Sequence, residues 1–157
     1  MIEFHIPGYP EKWQIKHLVL DLNGTLALDG RLLPGVKEKI RILAKQVDVY
    51  ILTADTFGTA QEQFRDLPCR LHLLTPENQI RQKEAFIREL GPEQCAAFGN
   101  GMNDTGMLKA ARVGICITGP EGAATQALLA SDIVVHDINR AFDLLLVPGR
   151  MKATLRK

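Results

Sequence analysis

Four short groups of polar residues in this chain could carry chemistry, and the first is centred on an aspartate. Asp21 follows the apolar run at 18–20 and precedes the turn residues Asn23-Gly24-Thr25. The glycine lets backbone N–H groups approach an anion closely. A carboxylate at a strand end that faces such a turn can attack phosphorus and form an aspartyl phosphate. The alternative is an Asx turn that merely ends the strand.

The second and third groups supply a hydroxyl and a cation. Thr53 and Ala54 follow the second apolar run of the chain, where a hydroxyl can donate a hydrogen bond to a phosphate oxygen. Lys83 lies within the apolar stripe of a predicted helix. There it either extends along the apolar surface and places its ammonium group in solvent, or reaches over a sheet edge to neutralise charge shared by Asp21 and a phosphoryl group.

The fourth group is a glycine-containing loop, Gly99-Asn100-Gly101-Met102-Asn103-Asp104. Its oxygen-bearing side chains suit Mg²⁺, which prefers hard oxygen ligands and retains several waters. Asn103 and Asp104 could instead cap the helix that follows. Of the four groups, this loop gives the most specific indication of function.

Apolar segments alternate with segments of helical periodicity, and this alternation predicts repeated βα units. Short, mostly apolar strands between amphipathic helices indicate a parallel sheet covered on both faces. We therefore predict an α/β fold with an open, doubly wound parallel sheet, in which the polar groups that follow strands converge beyond the carboxyl ends. Predicted strands cover residues 18–20, 47–52, 71–74, 96–98, 113–117 and 133–135, and predicted helices cover 36–47, 57–67, 76–90, 102–111, 123–130 and 138–146.

Length and composition indicate one domain over residues 1–157, in which residues 1–16 could add an edge strand and residues 148–157 form a tail. The net charge is +1, and no apolar stretch approaches the ~20 residues that span a bilayer. Neither nucleic acid nor a membrane is therefore an expected partner. The amino terminus does not resemble a signal peptide. The three scattered cysteines are expected to be reduced thiols of a cytoplasmic protein, and no CxxC pair predicts zinc.

Taken in order, the four groups resemble the four motifs of the haloacid dehalogenase superfamily, over about residues 18–135. The closest likeness within the superfamily is to the phosphorylation domain of P-type cation ATPases. Thr53-Ala54-Asp55 is similar to the Thr-Gly-Asp of that group, and residues 99–104 are similar to its Gly-Asp-Gly-x-Asn-Asp loop. This resemblance implies the same Rossmann-like α/β fold and a Mg²⁺-dependent phosphoryl transfer.

The resemblance also implies a role for each group. Asp21 would be the nucleophile and a Mg²⁺ ligand, and the backbone carbonyl of Asn23 would be another ligand. Asn100 and Asp104 would complete the metal site, the latter directly or through water. The phosphoryl group would be held by four residues, namely Gly24, Thr53, Ala54 and Lys83.

Two departures from the family pattern bear on turnover. Superfamily phosphatases carry a second aspartate two residues after the nucleophile, which serves first as general acid and then as general base. Here that residue is Asn23, which can do neither; P-type ATPases also lack the aspartate and form a long-lived phosphoenzyme. Asn100 replaces the first aspartate of the metal loop, so the affinity for Mg²⁺ should fall. The segments that separate Asp21, Thr53 and Lys83 are too short to hold a cap domain.

The leading prediction is a hydrolase, a phosphatase or phosphotransferase that is slow without a general acid and prefers leaving groups of low pKa. The alternative is a catalytically weak regulatory module that senses phosphate or Mg²⁺, and a third is an α/β domain whose resemblance is only ancestral. An open site without a cap suits a small phosphorylated substrate or a phosphoprotein. A second subunit of a homo-oligomer could close it, and such contacts would lie at the flap predicted for residues 27–33.

Overall fold

The computed structural model describes residues 1–54 and 59–157, which form a six-stranded parallel sheet flanked by helices and two small antiparallel pairs of strands. The strands are β1 (Ile2–Phe4), β2 (Trp13–Ile15), β3 (His17–Asp21), β4 (Ala27–Leu28), β5 (Arg31–Leu32), β6 (Asp48–Thr53), β7 (Arg70–Leu73), β8 (Cys95–Gly99), β9 (Val113–Ile117) and β10 (Ile133–Val135). The α-helices are α1 (Val36–Leu43), α2 (Thr59–Phe64), α3 (Gln79–Leu90), α4 (Thr105–Ala110), α5 (Thr125–Ala130), α6 (Ile138–Leu146) and α7 (Pro148–Leu155), and 3₁₀ turns cover Pro92–Gln94 and Met102–Asp104.

The central strand β3 shows why this sheet is covered on both faces. Leu18, Val19 and Leu20 are all fully buried, yet Val19 packs in a different hydrophobic cluster from the two leucines. Successive side chains of a strand point to opposite faces, so an apolar run without polar alternation requires a cover on each side. Helices α1, α6 and α7 cover the leucine face, and helices α3, α4 and α5 cover the valine face.

The order of strands in the sheet is β10-β9-β8-β3-β6-β7. The chain runs outward from β3 through β6 to β7, then crosses back through α3 to β8 and continues outward to β10. The direction of winding therefore reverses beside β3, where open α/β sheets bind ligands. Asp21 ends β3, Thr53 ends β6, and Asn100 directly follows β8. The predicted doubly wound α/β fold is confirmed, and the three polar groups do meet at one edge.

Residues 1–16 do not add an edge strand to the main sheet, and this expectation was wrong. β1 and β2 pair with each other in a separate antiparallel sheet. Their inward-facing side chains, such as Phe4 and Ile15, are fully buried in the same cluster as Leu18. The alternation of the apolar residues Ile2, Phe4 and Ile6 with polar ones is typical of a strand, and this segment does contain one. The alternation could not identify the strand's partner, which packing against the rest of the fold selects.

Residues 148–157 are an attached helix rather than a loose tail. Pro148 begins α7 in the first helical turn, where its missing N–H has no cost, and Met151 is fully buried. The Lys157 N–H donates to the Pro7 carbonyl at 3.1 Å, and the Lys157 ammonium lies 4.2 Å from the centre of the Tyr9 ring. The burial of Met151 holds this segment against the fold, although four of its ten residues are basic.

The predicted flap is a hairpin of β4 and β5, closed by Asp29-Gly30. The φ angles of these two residues are 49° and 77°, and two positive values are typical of a type I′ turn. Gln63 of α2 fastens the hairpin, because its side chain accepts from the Leu32 N–H at 2.9 Å and donates to the Gly30 carbonyl at 2.6 Å. The hairpin therefore has a defined position at the edge of the fold.

Helix boundaries differ from the sequence expectation by a few residues at either end, and α1 ends at Leu43 rather than at residue 47. α3 begins at Gln79, and the helix predicted over 102–111 is a 3₁₀ turn followed by α4. α2 covers part of the helix predicted over 57–67; residues 55–58, which include Asp55, lie outside the described residues. Within the described ranges, no helix combines the length and apolar character needed to cross a bilayer.

Candidate functional site

A pocket of about 590 Å³ opens at the carboxyl end of β3, where the direction of winding reverses. Most of the residues predicted for a phosphoryl-transfer site line it. The lining residues are Asp21, Asn23, Thr53, Ala54, Gln79, Lys83, Asn100, Gly101, Asn103 and Glu121. Of the remaining predicted residues, Gly24 and Asp104 are buried beside these. The structure therefore brings the four groups together, while the role of each residue stays a prediction.

A buried group of three charged side chains lies at the base of the pocket, where Asp21 and Lys83 line it and Asp104 is buried behind them. The Lys83 Nζ lies 2.6 Å from Asp21 Oδ1 and 2.6 Å from Asp104 Oδ1. The Lys83 side chain is only 1% exposed, so it does not extend to solvent as a surface lysine would. The second alternative from the sequence is the correct one, because the lysine reaches over the sheet edge to the aspartate.

Asp104 also orders the loop that follows β8. Its Oδ2 accepts hydrogen bonds from the N–H groups of Asn100 and Gly101, each at 2.9 Å. A Cβ on Gly99 would lie 2.5 Å from Asp104 Cγ, so this close packing needs glycine at position 99. Both carboxylate oxygens of Asp104 thus accept hydrogen bonds within the protein, Oδ1 from Lys83 and Oδ2 from two backbone N–H groups.

Thr25 is a site residue to which the sequence assigned no role. Its hydroxyl is fully buried and lies 3.0 Å from Asp21 Oδ2 and 3.3 Å from Asn100 Oδ1. The hydroxyl can donate to either oxygen, so it fixes the rotamer of the aspartate and places the two oxygens around one point. Thr25 belongs to the turn predicted from the sequence, but only the fold shows that its hydroxyl also reaches Asn100.

Residues 10–112 match the family of haloacid dehalogenase-like hydrolases, a span that includes all four groups. The chain belongs to this family. The predicted membership and the predicted hydrolase class are therefore confirmed. The match covers the part of the fold that builds most of the pocket, from β3 to the loop after β8, while Glu121 lies beyond it.

Individual proteins resemble this hydrolase over different lengths. An uncharacterised protein of Methanocaldococcus jannaschii is 51% identical over 73 residues, which is 46% of this chain and 78% of that protein. A probable copper-transporting ATPase of Arabidopsis thaliana is 32% identical over 79% of this chain but only 13% of the ATPase. The cobalt-bound deoxy-D-mannose-octulosonate 8-phosphate phosphatase of Haemophilus influenzae has a TM-score of 0.73 at 17% identity, covering 92% of this chain and 94% of that one. The local likeness to P-type ATPases is confirmed, and the phosphatase shares the fold.

The oxygen atoms of this hydrolase's pocket fit a small, hard divalent cation. The Asp21 carboxylate and the Asn100 amide oxygen both face the Thr25 hydroxyl, and Asn23 lies on the turn that follows Asp21. Among the described residues there is no cluster of three His, Cys, Asp or Glu side chains that could hold a metal on their own. Few protein ligands with several retained waters are the normal condition for Mg²⁺.

The electrostatics of the buried group are unusual. The pKa of Asp21 is raised to about 7, chiefly because burial disfavours its charged form and next because Asp104 is near, while Lys83 and Thr25 oppose the shift. Burial alone would lower the pKa of Lys83, but the charges and hydrogen bonds of the two aspartates outweigh it and raise that pKa. Above pH 7 the floor of this hydrolase's pocket therefore carries a buried excess of negative charge.

This excess predicts that Asp21→Asn stabilises the metal-free protein, and more so at high pH. Folding raises the pKa of Asp21, so the folded protein favours the protonated carboxyl. The stability that this carboxyl contributes is fully present below its unfolded pKa and is lost as pH rises through about 7. Asparagine does not titrate. We expect the variant's advantage in free energy of unfolding to be about 1–3 kcal/mol larger at pH 8 than at pH 5.

Urea unfolding with a chelator at both pH values measures the difference, and Asp66→Asn on the exposed surface is the matched control. An Asp21→Asn advantage that is equal at the two pH values, or smaller at pH 8, would contradict the buried excess of charge.

Two further pocket residues, Gln79 and Glu121, escaped the sequence prediction. Asn103 Nδ2 donates to Gln79 Oε1 at 2.8 Å, and this pair forms one rim of the pocket. Glu121, from the loop after β9, lines the pocket from another side. Asn103 belongs to the predicted glycine-containing loop, whereas Gln79 and Glu121 belong to no local pattern that indicates function, so only the tertiary structure reveals those two.

Proposed function

We propose that this chain is a Mg²⁺-dependent phosphatase or phosphotransferase that forms an aspartyl phosphate on Asp21 and turns over slowly. One observation carries the proposal: the buried Lys83 ammonium is held against Asp21 by Asp104, at the base of an open polar pocket. A cation so placed would compensate the charge of a phosphoryl group as it transfers to the carboxylate. The hydrolase family of the chain supports the reaction class.

The proposed reaction has two steps. Asp21 attacks phosphorus in line, so that an oxygen–phosphorus bond forms as the bond to the leaving oxygen breaks. Water then attacks the acyl phosphate, which releases inorganic phosphate and restores the carboxylate. Lys83 and the Thr53 hydroxyl donate hydrogen bonds to the phosphoryl oxygens during both steps. Bound Mg²⁺ would supply further charge neutralisation, held by Asp21, the Asn23 carbonyl and Asn100, with Asp104 acting directly or through water.

Because position 23 carries an amide and not an acid, the proposed turnover is slow and the proposed substrates have leaving groups of low pKa. An amide cannot protonate the leaving oxygen in the first step, nor take a proton from water in the second. Leaving groups of low pKa, such as aryl or acyl oxygens, depart without that help. A small phosphorylated substrate or a phosphoprotein suits a pocket without a cap, and a second subunit docked near the hairpin of β4 and β5 could close it.

A regulatory module that senses phosphate or Mg²⁺ is the second candidate. The observation that favours it is that two residues lining the pocket, Asn23 and Asn100, are neutral where family phosphatases have acids. In this candidate Asp21 would accept a phosphoryl group or a mimic of one, and turnover would be negligible.

The proposal is tested by treating the protein with acetyl phosphate and Mg²⁺ and measuring intact mass and released phosphate. We expect an adduct in the wild type and in the surface control Asp66→Ala. Asp21→Ala should lose the adduct and about a thousandfold or more of the turnover. Full Mg²⁺-dependent activity in Asp21→Ala would overturn the proposal. A stable adduct of acetyl phosphate or beryllium fluoride without phosphate release would favour the sensor.

A further inference from the structure

The loop between β9 and α5 holds a carboxylate in the pocket through a tight turn. The Gly119 carbonyl accepts from the Gly122 N–H at 2.9 Å, which places Pro120 and Glu121 at the centre of a four-residue turn. Proline fixes its own φ, and Gly122 adopts a φ of 73°, which favours glycine. Proline thus restricts the backbone before Glu121 and Gly122 permits the positive φ after it, and the Glu121 side chain lines the pocket with Asp21.

The Glu121 carboxylate lies beside the amide of Asn100. A Cβ placed on Gly24 would be 2.5 Å from Glu121 Oε2, 2.5 Å from Asn100 Nδ2 and 3.0 Å from Asn100 Oδ1. The carboxylate and the amide thus meet over the bare backbone of Gly24, which has a φ of 80°. Any side chain at position 24 would displace one of them.

Asn100 also fastens the loop that carries this carboxylate. The side-chain Nδ2 of Asn100 donates to the Gly122 carbonyl at 3.1 Å. The backbone carbonyl of Asn100 accepts from the Ala124 N–H at 2.9 Å. The remaining side-chain atom, Oδ1, faces the Thr25 hydroxyl and hence the side of Asp21. The amide therefore joins two loops, with its oxygen left on the side of the proposed metal.

The charges of the pocket show what Glu121 could add. Asp104 engages both of its oxygens with Lys83 and with backbone N–H groups. Asp21 faces the same lysine, and Asn100 offers an oxygen without charge. The affinity of an oxygen site for a divalent cation rises with the number of charged ligands. Glu121 is the one further carboxylate among the described residues that line the pocket.

We propose that Glu121 supplies a carboxylate oxygen, directly or through one water, to the divalent cation held by Asp21 and Asn100. This inference rests on the proposed function and names a residue of the same site. The carboxylate comes from a loop distant in sequence and replaces the charge that Asn100 lacks. Because Gly24 has no side chain, the two groups can share the space above the turn after β3.

The test is calorimetric titration of Mg²⁺ into metal-free protein, with Glu121→Gln compared against Glu89→Gln. Glu89 is exposed near the far end of α3, so the control removes the same charge away from the pocket. We expect Glu121→Gln to weaken the Kd for Mg²⁺ by about 10- to 100-fold, and the control to leave it within about twofold. Thermal unfolding without metal should be the same for both variants, because each residue is exposed.

Repeating the Glu121→Gln substitution in the Asn100→Asp variant tests whether Glu121 compensates for the missing charge at position 100. Asn100→Asp restores a charge beside Glu121, so the weakening caused by Glu121→Gln should shrink several-fold there. An undiminished effect in that background overturns the idea that Glu121 compensates for Asn100. Saturable Mg²⁺ binding that is equal in Glu121→Gln and Glu89→Gln overturns this inference and leaves the proposed function intact. No saturable Mg²⁺ binding by the wild type overturns both.

Discussion

Replacing Asn23 with aspartate is expected to raise the turnover of a phosphate ester by about 100-fold. The Asn23 side chain is exposed and lines the pocket two residues after Asp21. A carboxylic acid there would stand where it can protonate the leaving oxygen, and its carboxylate could then take a proton from the attacking water. The amide can do neither, so the gain would identify the missing acid as the limit on turnover.

The dependence on leaving group distinguishes this cause from a general effect of charge. An alkyl phosphate needs its leaving oxygen protonated far more than an aryl phosphate does, so the Asn23→Asp gain should be larger for the alkyl ester. Steady-state phosphate release from both esters with Mg²⁺ measures it. Asn103→Asp is the matched control, because it adds the same charge at the rim of the same pocket. An equal gain in the control, or an equal gain for both esters, would argue against acid catalysis.

The same experiment separates the two candidate functions. A competent scaffold that lacks only its acid should become an ordinary phosphatase in one substitution. If Asn23→Asp forms the acyl phosphate and still releases no phosphate, other features of the pocket hold the phosphoenzyme. The regulatory candidate would then describe the protein better than slow catalysis does.

The sequence could locate Asp21, Thr53 and Asn100 because each follows an apolar strand. Parallel strands bring their carboxyl ends to one edge, so order along the chain translates directly into proximity. Lys83 was different, because its position in an apolar stripe suits both a solvent-directed and a buried ammonium group. Its partners Asp21 and Asp104 decide between a solvent-directed and a buried ammonium group. They lie 62 and 21 positions from Lys83 in the sequence, so no local pattern reveals them.

The unforeseen parts of the site depend on contacts between loops. Thr25 stood inside a recognised turn, yet its bond to Asn100 joins residues 75 positions apart. Glu121 lies in a turn of ordinary composition and enters the pocket only because Gly24 leaves room for it. The errors at residues 1–16 and 148–157 have the same origin, since local alternation or charge does not specify what a segment packs against.

Lys83→Met is expected to destabilise the metal-free protein by about 3–5 kcal/mol at pH 8. Methionine fills similar volume but leaves Asp21 and Asp104 buried together without the cation that lies 2.6 Å from each. Removing the cation leaves two buried carboxylates whose charge is compensated only in part by the remaining hydrogen bonds, from Thr25 to Asp21 and from two backbone N–H groups to Asp104. Urea unfolding with a chelator gives the free energy of unfolding. Lys109→Met on the exposed side of α4 is the control, expected to stay within about 0.5 kcal/mol of the wild type.

Adding Asp21→Asn to Lys83→Met separates the loss of charge from the loss of packing. In the double variant one buried carboxylate remains, and two backbone N–H groups still donate to its Oδ2. We therefore expect the double variant to recover roughly half of the lost stability. No recovery would assign the loss to packing of the lysine stem. Lys83→Met that unfolds like Lys109→Met would mean that the ammonium lies in solvent, and the pocket would then lack the cation on which phosphoryl binding depends.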